Sequence, residues 1–361
     1  MARTDTLGNF LTDVADSIRT KKGTTDKILA SNFDTEIESI ESGDTIELTD
    51  ASYMFYNKAR LEQLTEILPL CNKATKMSSM FANITNYNTP LDISLLKTSS
   101  CVDMSGMFQY CNGSAFYNLD LSSFDTSKVT NMGSMFYSSA IQTPNLSNFE
   151  TSKVTSMNSM FSSCNGITSL DLSNFSTSNV TSMYYMFKNC GNLTSLNLGN
   201  FETSNVTSMH SMFENCKKLT SLDLSSFDTS KVKEIPYIFS GCTLLKEINI
   251  SNFDLSSATW ISSMFSRCSS LTTITGCLQN LGQAYLTTSS ANYSNYKLDL
   301  SSCSKLTEQS LINMLNGLYD IATKGCKTQQ VVLGSTNLAK LTSEAGQQAL
   351  SNAQAKGWTI S

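Results

Sequence analysis

The side chains that could carry acid–base or metal chemistry are few in this sequence of 361 residues. His210 is the only histidine, so a catalytic triad or a zinc site that needs imidazole would have to be built around it. It stands between Met209 and Ser211, at a variable position of a repeated segment, and we expect it at the surface. Neither of the phosphate-binding patterns GxxxxGK[ST] and GxGxxG occurs. We therefore predict a protein that is not an enzyme and that uses no cofactor.

Acidic and amide side chains recur between pairs of leucines and form a second set of candidates. The set comprises Asp120, Asp171, Asn197, Asp223, Asn249 and Asp299. Carboxylates stacked one repeat apart could bind calcium, but asparagine interrupts the series, so we favour a solvated strand face and predict no metal site. The strand-face candidates for ligand binding are Asp171, Asn197, Asp223 and Asn249.

Aromatic and polar side chains also vary between copies of a repeated Met-Phe segment. The candidates for ligand binding on this side, the predicted helix side, are Tyr110, Tyr137, Tyr184, Tyr185, Lys188, His210, Glu214 and Tyr237. The aromatic members between residues 184 and 237 come from adjacent repeats and should cluster. Exposed aromatic rings beside amides and hydroxyls suit a sugar or a protein surface. The alternative is that these are ordinary solvent-facing residues that are free to vary.

A repeat of about 26 residues determines where all these candidates lie. Its marker is a phenylalanine, preceded by methionine in eight of nine copies, at Phe55, Phe81, Phe108, Phe136, Phe161, Phe187, Phe213, Phe239 and Phe265. Six of the eleven cysteines follow this phenylalanine by three residues, namely Cys111, Cys164, Cys190, Cys216, Cys242 and Cys268. The spacing of these cysteines is that of the repeat and not that of a CxxC metal site, which predicts a ladder of buried thiols. Disulfides between repeats are the alternative, and synthesis in a cytoplasm disfavours them.

Each repeat combines a strand pattern with a helix pattern. The motif LxxLxL at residues 193–198 alternates as a short strand does. The helix pattern consists of apolar residues spaced by three, three and one, namely Val206, Met209, Met212 and Phe213. This spacing places them on one face of a short helix, for which Thr203 or Ser204 would be the N-cap.

A unit of this size cannot bury its apolar face alone, so neighbouring units must stack. We therefore predict an α/β repeat solenoid, a leucine-rich-repeat-like stack of about nine 26-residue coils at residues 46–278. A parallel sheet would form one face and short helices the other. With strands about 4.8 Å apart, the stack would be about 38 Å long.

The two ends of the chain differ from the repeats. Residues 1–45 are predicted to form a small helical unit, and residues 1–50 carry five basic and eleven acidic side chains, a net charge of −6. The apolar face of this unit is the predicted attachment surface and consists of Leu7, Phe10, Leu11, Val14 and Ile18. Residues 279–361 are predicted to form an α/β cap, with strands at 298–300, 331–333 and 358–360 and helices after Thr307 and Thr342.

The unit LxxLxLxxFxTSxVTSMxxMFxxC resembles the BspA-like leucine-rich repeat of surface and phage proteins from gut and oral bacteria. The resemblance covers residues 48–278 and is strongest at 119–271. Residues 7–37 resemble the start of tail-fibre-like proteins from phages and prophages of Gram-positive bacteria, and residues 306–361 resemble the C-terminal segment of phage-encoded BspA-like proteins. The resemblance implies attachment to other tail or baseplate proteins through residues 1–45, and a homo-oligomer.

These observations favour a phage tail or tail-fibre structural protein, made in the cytoplasm of a bacterial host. It would attach to the virion by its N-terminus and use its repeats to recognise a host cell-surface glycan or protein. The alternative is a bacterial surface or secreted adhesin of the BspA-like family, which the lack of a signal-peptide pattern disfavours. The near-neutral charge of residues 51–361 argues against nucleic acid as a partner. Since no apolar run approaches 18 residues, we expect no membrane insertion.

Overall fold

The computed structural model describes residues 48–58, 61, 64–284, 297–324 and 329–361. The chain forms two compact units, Met1–Lys153 and Val154–Ser361. The attachment residues, and the whole helical unit predicted at residues 1–45, lie outside the described residues. The attachment residues are Leu7, Phe10, Leu11, Val14 and Ile18. The boundaries proposed after residues 45 and 278 stay predictions.

The described part of the first unit consists of repeats held together by single β-bridges. Parallel bridges join Asp50 to Lys76, Lys76 to Asp103, and Asp103 to Asn131, each one repeat further along the chain. The helical segments are the 3-10 turn Tyr56–Lys58, helix α1 at Leu64–Ile67, and the 3-10 turns Leu68–Cys71 and Ser114–Phe116. Successive repeats in this unit are therefore stacked in parallel.

The described part of the second unit contains three small parallel sheets. The first sheet pairs β1 (Ser169–Leu170) with β2 (Ser195–Leu196). The second is β3 (Ser221–Asp223), β4 (Glu247–Ile250) and β5 (Thr273–Gly276). The third is β6 (Leu298–Asp299), β7 (Gln329–Val332) and β8 (Trp358–Ile360). In the second sheet, Leu222, Ile248 and Ile274 are in register and buried, so each strand contributes a core residue at the same register position.

Within the described residues of the second unit, the helices lie near the end of the chain. They are α2 (Glu308–Asn316), α3 (Ser335–Leu338) and α4 (Glu344–Ala355). Thr307 is the N-cap of α2, as predicted, because its hydroxyl accepts a hydrogen bond from the Ser310 amide at 3.2 Å. Ser343 caps α4 in the same way through the Gly346 amide at 3.0 Å. The three strands predicted in this region correspond to β6, β7 and β8.

The repeat phenylalanines form a fully buried ladder in each unit. Ring centroids of consecutive members are 5.1, 5.4 and 5.8 Å apart in the first unit, between Phe55, Phe81, Phe108 and Phe136. In the second unit the distances are 5.9, 5.7, 6.0 and 5.4 Å, between Phe161, Phe187, Phe213, Phe239 and Phe265. The repeat therefore stacks identical rings on one another through the core.

The repeat cysteines form a second buried ladder beside the phenylalanines. The Cys190 thiol donates to the Phe161 carbonyl at 3.0 Å, and Cys216, Cys242 and Cys268 repeat this contact one repeat later each time, at 3.1 Å. All six repeat cysteines are buried and none is in a disulfide. The predicted ladder of buried thiols is therefore confirmed.

The prediction of a short helix at each Met-Phe segment is wrong. Between Met209 and Cys216 the chain makes consecutive turns, in which alternate amides have different partners. The amides of Met212 and Glu214 donate to carbonyls three residues earlier. Those of Ser211 and Phe213 donate to carbonyls of the next repeat, at Pro236 and Ile238, both at 2.9 Å. Half of the amides in this segment therefore tie one repeat to its neighbour.

Positive φ angles explain why this segment does not form a helix. Ser211 and Asn215 have φ angles of 53° and 60°, and every repeat from Tyr53 to Arg267 has two such left-handed residues four positions apart. A left-handed residue interrupts an α-helix. The predicted inward face is nevertheless correct, because its four members are buried. The proposed N-cap, Thr203, instead donates its hydroxyl hydrogen to the Asp228 carbonyl at 2.8 Å.

Candidate functional site

Five side chains of the second unit form a continuous group of rings, which we call the aromatic cluster. Its members are Tyr184, Tyr185, His210, Tyr237 and Trp260. Ring centroids are 5.1 Å apart between Tyr184 and Tyr185 and 4.9 Å apart between Tyr185 and His210. His210 lies 6.0 Å from Tyr237 and 5.0 Å from Trp260. Tyr184 is 36% exposed and the other rings are half-buried. Four of these five residues were predicted to cluster, and the structure brings them together.

Hydrogen bonds between repeats hold the backbone of the aromatic cluster. The Tyr185 amide donates to the His210 carbonyl at 2.9 Å, and the Tyr237 amide donates to the Ser262 carbonyl at 2.9 Å. The Trp260 carbonyl accepts from the Ile235 amide at 2.9 Å. Because neighbouring backbones are joined directly at the residues that carry the rings, the spacing of the rings is set by the stacking of the repeats.

Polar groups lie at one end of the aromatic cluster. Lys188 Nζ is 2.7 Å from Glu214 Oε2 and 4.6 Å from the centroid of the Tyr185 ring. The Asn158 side-chain amide donates to the Tyr184 hydroxyl at 3.1 Å. The predicted candidates Lys188 and Glu214 therefore form an ion pair beside the rings, where the ammonium group also makes a cation–π contact.

His210 packs against its neighbours more closely than the sequence indicates, because it is half-buried. Burial lowers the pKa of His210, the positive charge of Lys188 lowers it further, and Glu234 and Glu214 oppose the shift. The imidazole is therefore neutral around neutral pH, with one nitrogen as a donor and the other as an acceptor.

Trp260 was missed by the sequence reasoning. It lies five residues before Phe265, a slot that holds Ser182, Ser208 and Glu234 in the preceding repeats. Glu234 and Trp260 form a parallel bridge, so this slot is stacked from repeat to repeat. Comparing the slot between repeats would have revealed the one large aromatic residue in it.

The candidates Tyr110 and Tyr137 form a pair of their own within the first unit. Their ring centroids are 5.1 Å apart and the ring planes are perpendicular. Tyr110 is 47% exposed, and its pKa is raised by partial burial and then by Tyr137. This pair presents one exposed phenol and an edge-to-face contact.

The strand-face candidates have a structural role that explains their residue types. Each accepts a hydrogen bond from the amide two residues later, at 3.0 or 3.1 Å, as seen for Asp171, Asn197, Asp223 and Asn249. The hydrogen bond from Ser173 lowers the pKa of the Asp171 carboxyl, and the bond from Ser225 lowers the pKa of the Asp223 carboxyl. Since the side-chain amide oxygen of asparagine accepts the same bond as a carboxylate oxygen, either Asp or Asn can occupy this position of the repeat.

The part of the chain that the structure describes has neither a metal-binding cluster nor a helix that could span a membrane. There, no group of three or more His, Cys, Asp or Glu side chains converges on a possible metal position. Its helices are also too short and too polar for any of them to cross a bilayer.

The repeat belongs to a family of proteins defined by sequence. The family DUF285, described as a Mycoplasma protein of unknown function, matches residues 26–116, 49–170, 112–196 and 192–276. None of the curated proteins compared with the chain matches it. The matches overlap in series and together span well over half of the chain, including the buried phenylalanine and cysteine ladders. The chain therefore belongs to the DUF285 family.

Proposed function

We propose that the chain is a phage tail or tail-fibre structural protein whose repeats recognise a molecule on the host cell surface. The observation that carries this proposal is the aromatic cluster, with Tyr184 exposed at one end and an ion pair beside it. Rings that already pack on one another, on backbones tied between repeats, lose little freedom on binding. The attachment role of residues 1–45 is supported by the resemblance of residues 7–37 to tail-fibre proteins.

For the architecture, we propose a leucine-rich-repeat-like solenoid of the BspA-like class. Parallel bridges one repeat apart within each unit, and the ladders of stacked phenylalanines, support it. In a homo-oligomeric fibre, several copies of a weak site would act together through their effective concentration.

The second candidate is a bacterial surface or secreted adhesin. The family description favours it, because it names Mycoplasma, a cellular organism. Antibody labelling separates the two candidates. Label on tail structures of particles supports the first, and label confined to the cell surface supports the second.

Adsorption to cells tests recognition. The full-length protein, fluorescently labelled, is mixed with a panel of Gram-positive strains, and binding is compared with that of the double variant Tyr184→Ser/Tyr185→Ser. Serine already stands at these two slots in the last repeat, at Ser262 and Ser263, so the backbone should accept it. We expect strain-selective adsorption that the double variant weakens about tenfold or more.

The matched control is Tyr117→Ser, because Tyr117 is 39% exposed and lies in the first unit. It should adsorb as the unchanged protein does. Failure of the unchanged protein to adsorb to any strain would contradict surface recognition. Equal adsorption of the unchanged protein, the double variant and Tyr117→Ser would show that the aromatic cluster is not the binding site.

A further inference from the structure

We infer that the aromatic cluster binds a linear, uncharged polysaccharide that runs along the stacking direction, with about one sugar for each repeat. This inference rests on the proposed function, because it names the class of ligand for the same site. It follows from the spacing of the rings, from the charges around them, and from their polar neighbours.

The residues that carry the rings come from four successive repeats. Tyr185 belongs to the repeat of Phe187, and the next three repeats contribute His210, Tyr237 and Trp260. Rings from adjacent repeats are 4.9 Å apart between Tyr185 and His210 and 6.0 Å apart between His210 and Tyr237, close to the spacing of about 4.8 Å between paired strands. The Trp260 ring reaches back across one repeat and lies 5.0 Å from the His210 ring. One pyranose unit of a 1,4-linked polysaccharide advances its chain by a similar distance. Successive sugars can therefore meet successive repeats without a change of register.

The charges at the cluster disfavour an anionic polymer. The ammonium group of Lys188 is already paired with Glu214 at 2.7 Å. Glu234, whose carboxylate is 3.4 Å from the Ser208 hydroxyl, adds a negative charge close to His210. A phosphate-rich polymer would have to break the Lys188–Glu214 pair and approach Glu234, and both steps oppose binding.

The polar groups at the cluster suit sugar hydroxyls. The Tyr184 oxygen accepts from the Asn158 amide, which leaves the phenolic hydrogen to be donated. The carboxylate of Glu214 can accept from a hydroxyl while it stays paired with Lys188. A few polar groups beside apolar rings provide both the stacking and the hydrogen bonds that a sugar needs.

The size of the cluster favours a slender ligand over a protein. A stable protein interface buries about 800 Å² on each partner. Five aromatic side chains would bury about 150–250 Å² each if they were fully covered, and here four of the five are already half-buried, so much less surface is left for a ligand to cover. A single polysaccharide chain can use such a narrow strip completely.

The test is the dependence of affinity on oligosaccharide length. Isothermal titration is done on the full-length protein with four neutral series, from disaccharide to octasaccharide: cello-, chito-, malto- and manno-oligosaccharides. In at least one series we expect the affinity to rise with each sugar up to about three or four sugars and then to level off. The longest member should bind about tenfold tighter than the disaccharide, or more.

Two variants shorten the strip from opposite ends. Trp260→Ser and Tyr184→Ser should each make the affinity level off at a shorter oligosaccharide, while Tyr117→Ser leaves the series unchanged. Serine occupies the tryptophan slot in earlier repeats, at Ser182 and Ser208, so Trp260→Ser should fold. Thermal unfolding of each variant, monitored by circular dichroism, checks this.

Three outcomes would overturn the inference. Binding that is independent of length would exclude a chain lying along the repeats. If no series binds, but adsorption to cells still depends on Tyr184 and Tyr185, the ligand is a protein or an anionic polymer and the proposed function stands. If the protein neither binds a series nor adsorbs to cells, both the inference and the proposed function fail.

Discussion

Thr177 and Glu202 exchange two hydrogen bonds across one repeat. The Thr177 hydroxyl donates to the Glu202 carbonyl at 2.9 Å and accepts from the Glu202 amide at 2.8 Å, and the threonine is fully buried. The pairs Thr126–Glu150 and Thr229–Asp254 make the same exchange. The threonine hydroxyl thus satisfies both the amide and the carbonyl of one residue in the next repeat, as the backbone of a neighbouring strand would in a sheet.

Replacing this threonine should therefore be costly. Thr177→Val keeps the shape but leaves the amide and carbonyl of Glu202 without these bonds, and we expect unfolding to become easier by about 1–3 kcal/mol. Urea unfolding measures the change. The control is Thr181→Val, whose exposed hydroxyl donates to the Thr155 carbonyl at 3.3 Å, with an expected change within about 0.5 kcal/mol. Similar losses in both variants would contradict the special role of Thr177.

Ser211→Gly should stabilise the protein. Ser211 has a φ of 53°, which is unfavourable for any residue with a Cβ atom, and its buried hydroxyl has no hydrogen-bond partner among the described residues. Gly106 occupies the equivalent slot with a φ of 62°, so glycine fits there. We expect a gain of about 1 kcal/mol in the free energy of unfolding, measured by urea unfolding. Ser211→Ala removes only the hydroxyl and should gain less, and an equal gain would refute the backbone contribution.

Alkaline pH should weaken the fold through the buried thiols. Burial raises the pKa of Cys242 to about 12, whereas its ordinary value is 9.0. Above pH 9 the unfolded chain loses this proton while the folded chain keeps it, so the free energy of unfolding decreases as pH rises towards 12. One such thiol contributes about 1.4 kcal/mol per pH unit in that range.

Urea unfolding at pH 8, 9 and 10 measures this slope, and Cys242→Ala should reduce it between pH 9 and 10. The two proteins should have parallel pH profiles below pH 8, where the thiol is protonated in both states. An unchanged slope in Cys242→Ala would show that this thiol is not protected in the folded state.

The only histidine offers a direct probe of the aromatic cluster. Because burial and Lys188 lower the pKa of His210 below its usual 6.5, the folded state prefers the neutral imidazole. The stabilising contribution is present above pH 6.5 and is lost as pH falls through the folded pKa, since the unfolded state takes up the proton first. An NMR titration should give a pKa below 6.5.

Lys188→Gln should raise the pKa of His210, because it removes a nearby positive charge. Lys231→Gln is the control, since Lys231 donates to Asn205 and does not act on His210. A titration of His210 at its usual pKa in the unchanged protein would mean that the ring is more exposed than the structure shows.

Most of the core was predictable because the repeat itself is the strongest pattern in the sequence. Identical phenylalanines and cysteines at a spacing of 26 residues can stack only if the repeats do. The caps at Thr307 and, within one residue, Ser343 were also predictable, because each precedes an apolar helical pattern.

The turns were not predictable from apolar spacing. Residues spaced by three, three and one face the same side both in a helix and in a series of turns, so the pattern at Val206–Phe213 does not distinguish them. The deciding feature is the left-handed backbone at Ser211 and Asn215. A glycine at these positions would have indicated a positive φ angle more clearly than serine or asparagine does. Trp260 was missed because the variable positions considered were the two between the repeat methionines and those just after the phenylalanine, whereas Trp260 occupies the position before the first methionine of the other repeats.

The bonds between the turns also determine how the second unit would respond to a pulling force. From Met209 to Asn215, every second amide donates to the next repeat, so these bonds lie along the stacking direction. Tension along that direction would open one repeat at a time, like a zipper, and would not shear many bonds at once. Each opening would release 26 residues, about 90 Å of extended chain. Under load, such a stack is an extensible tether that lengthens in equal steps.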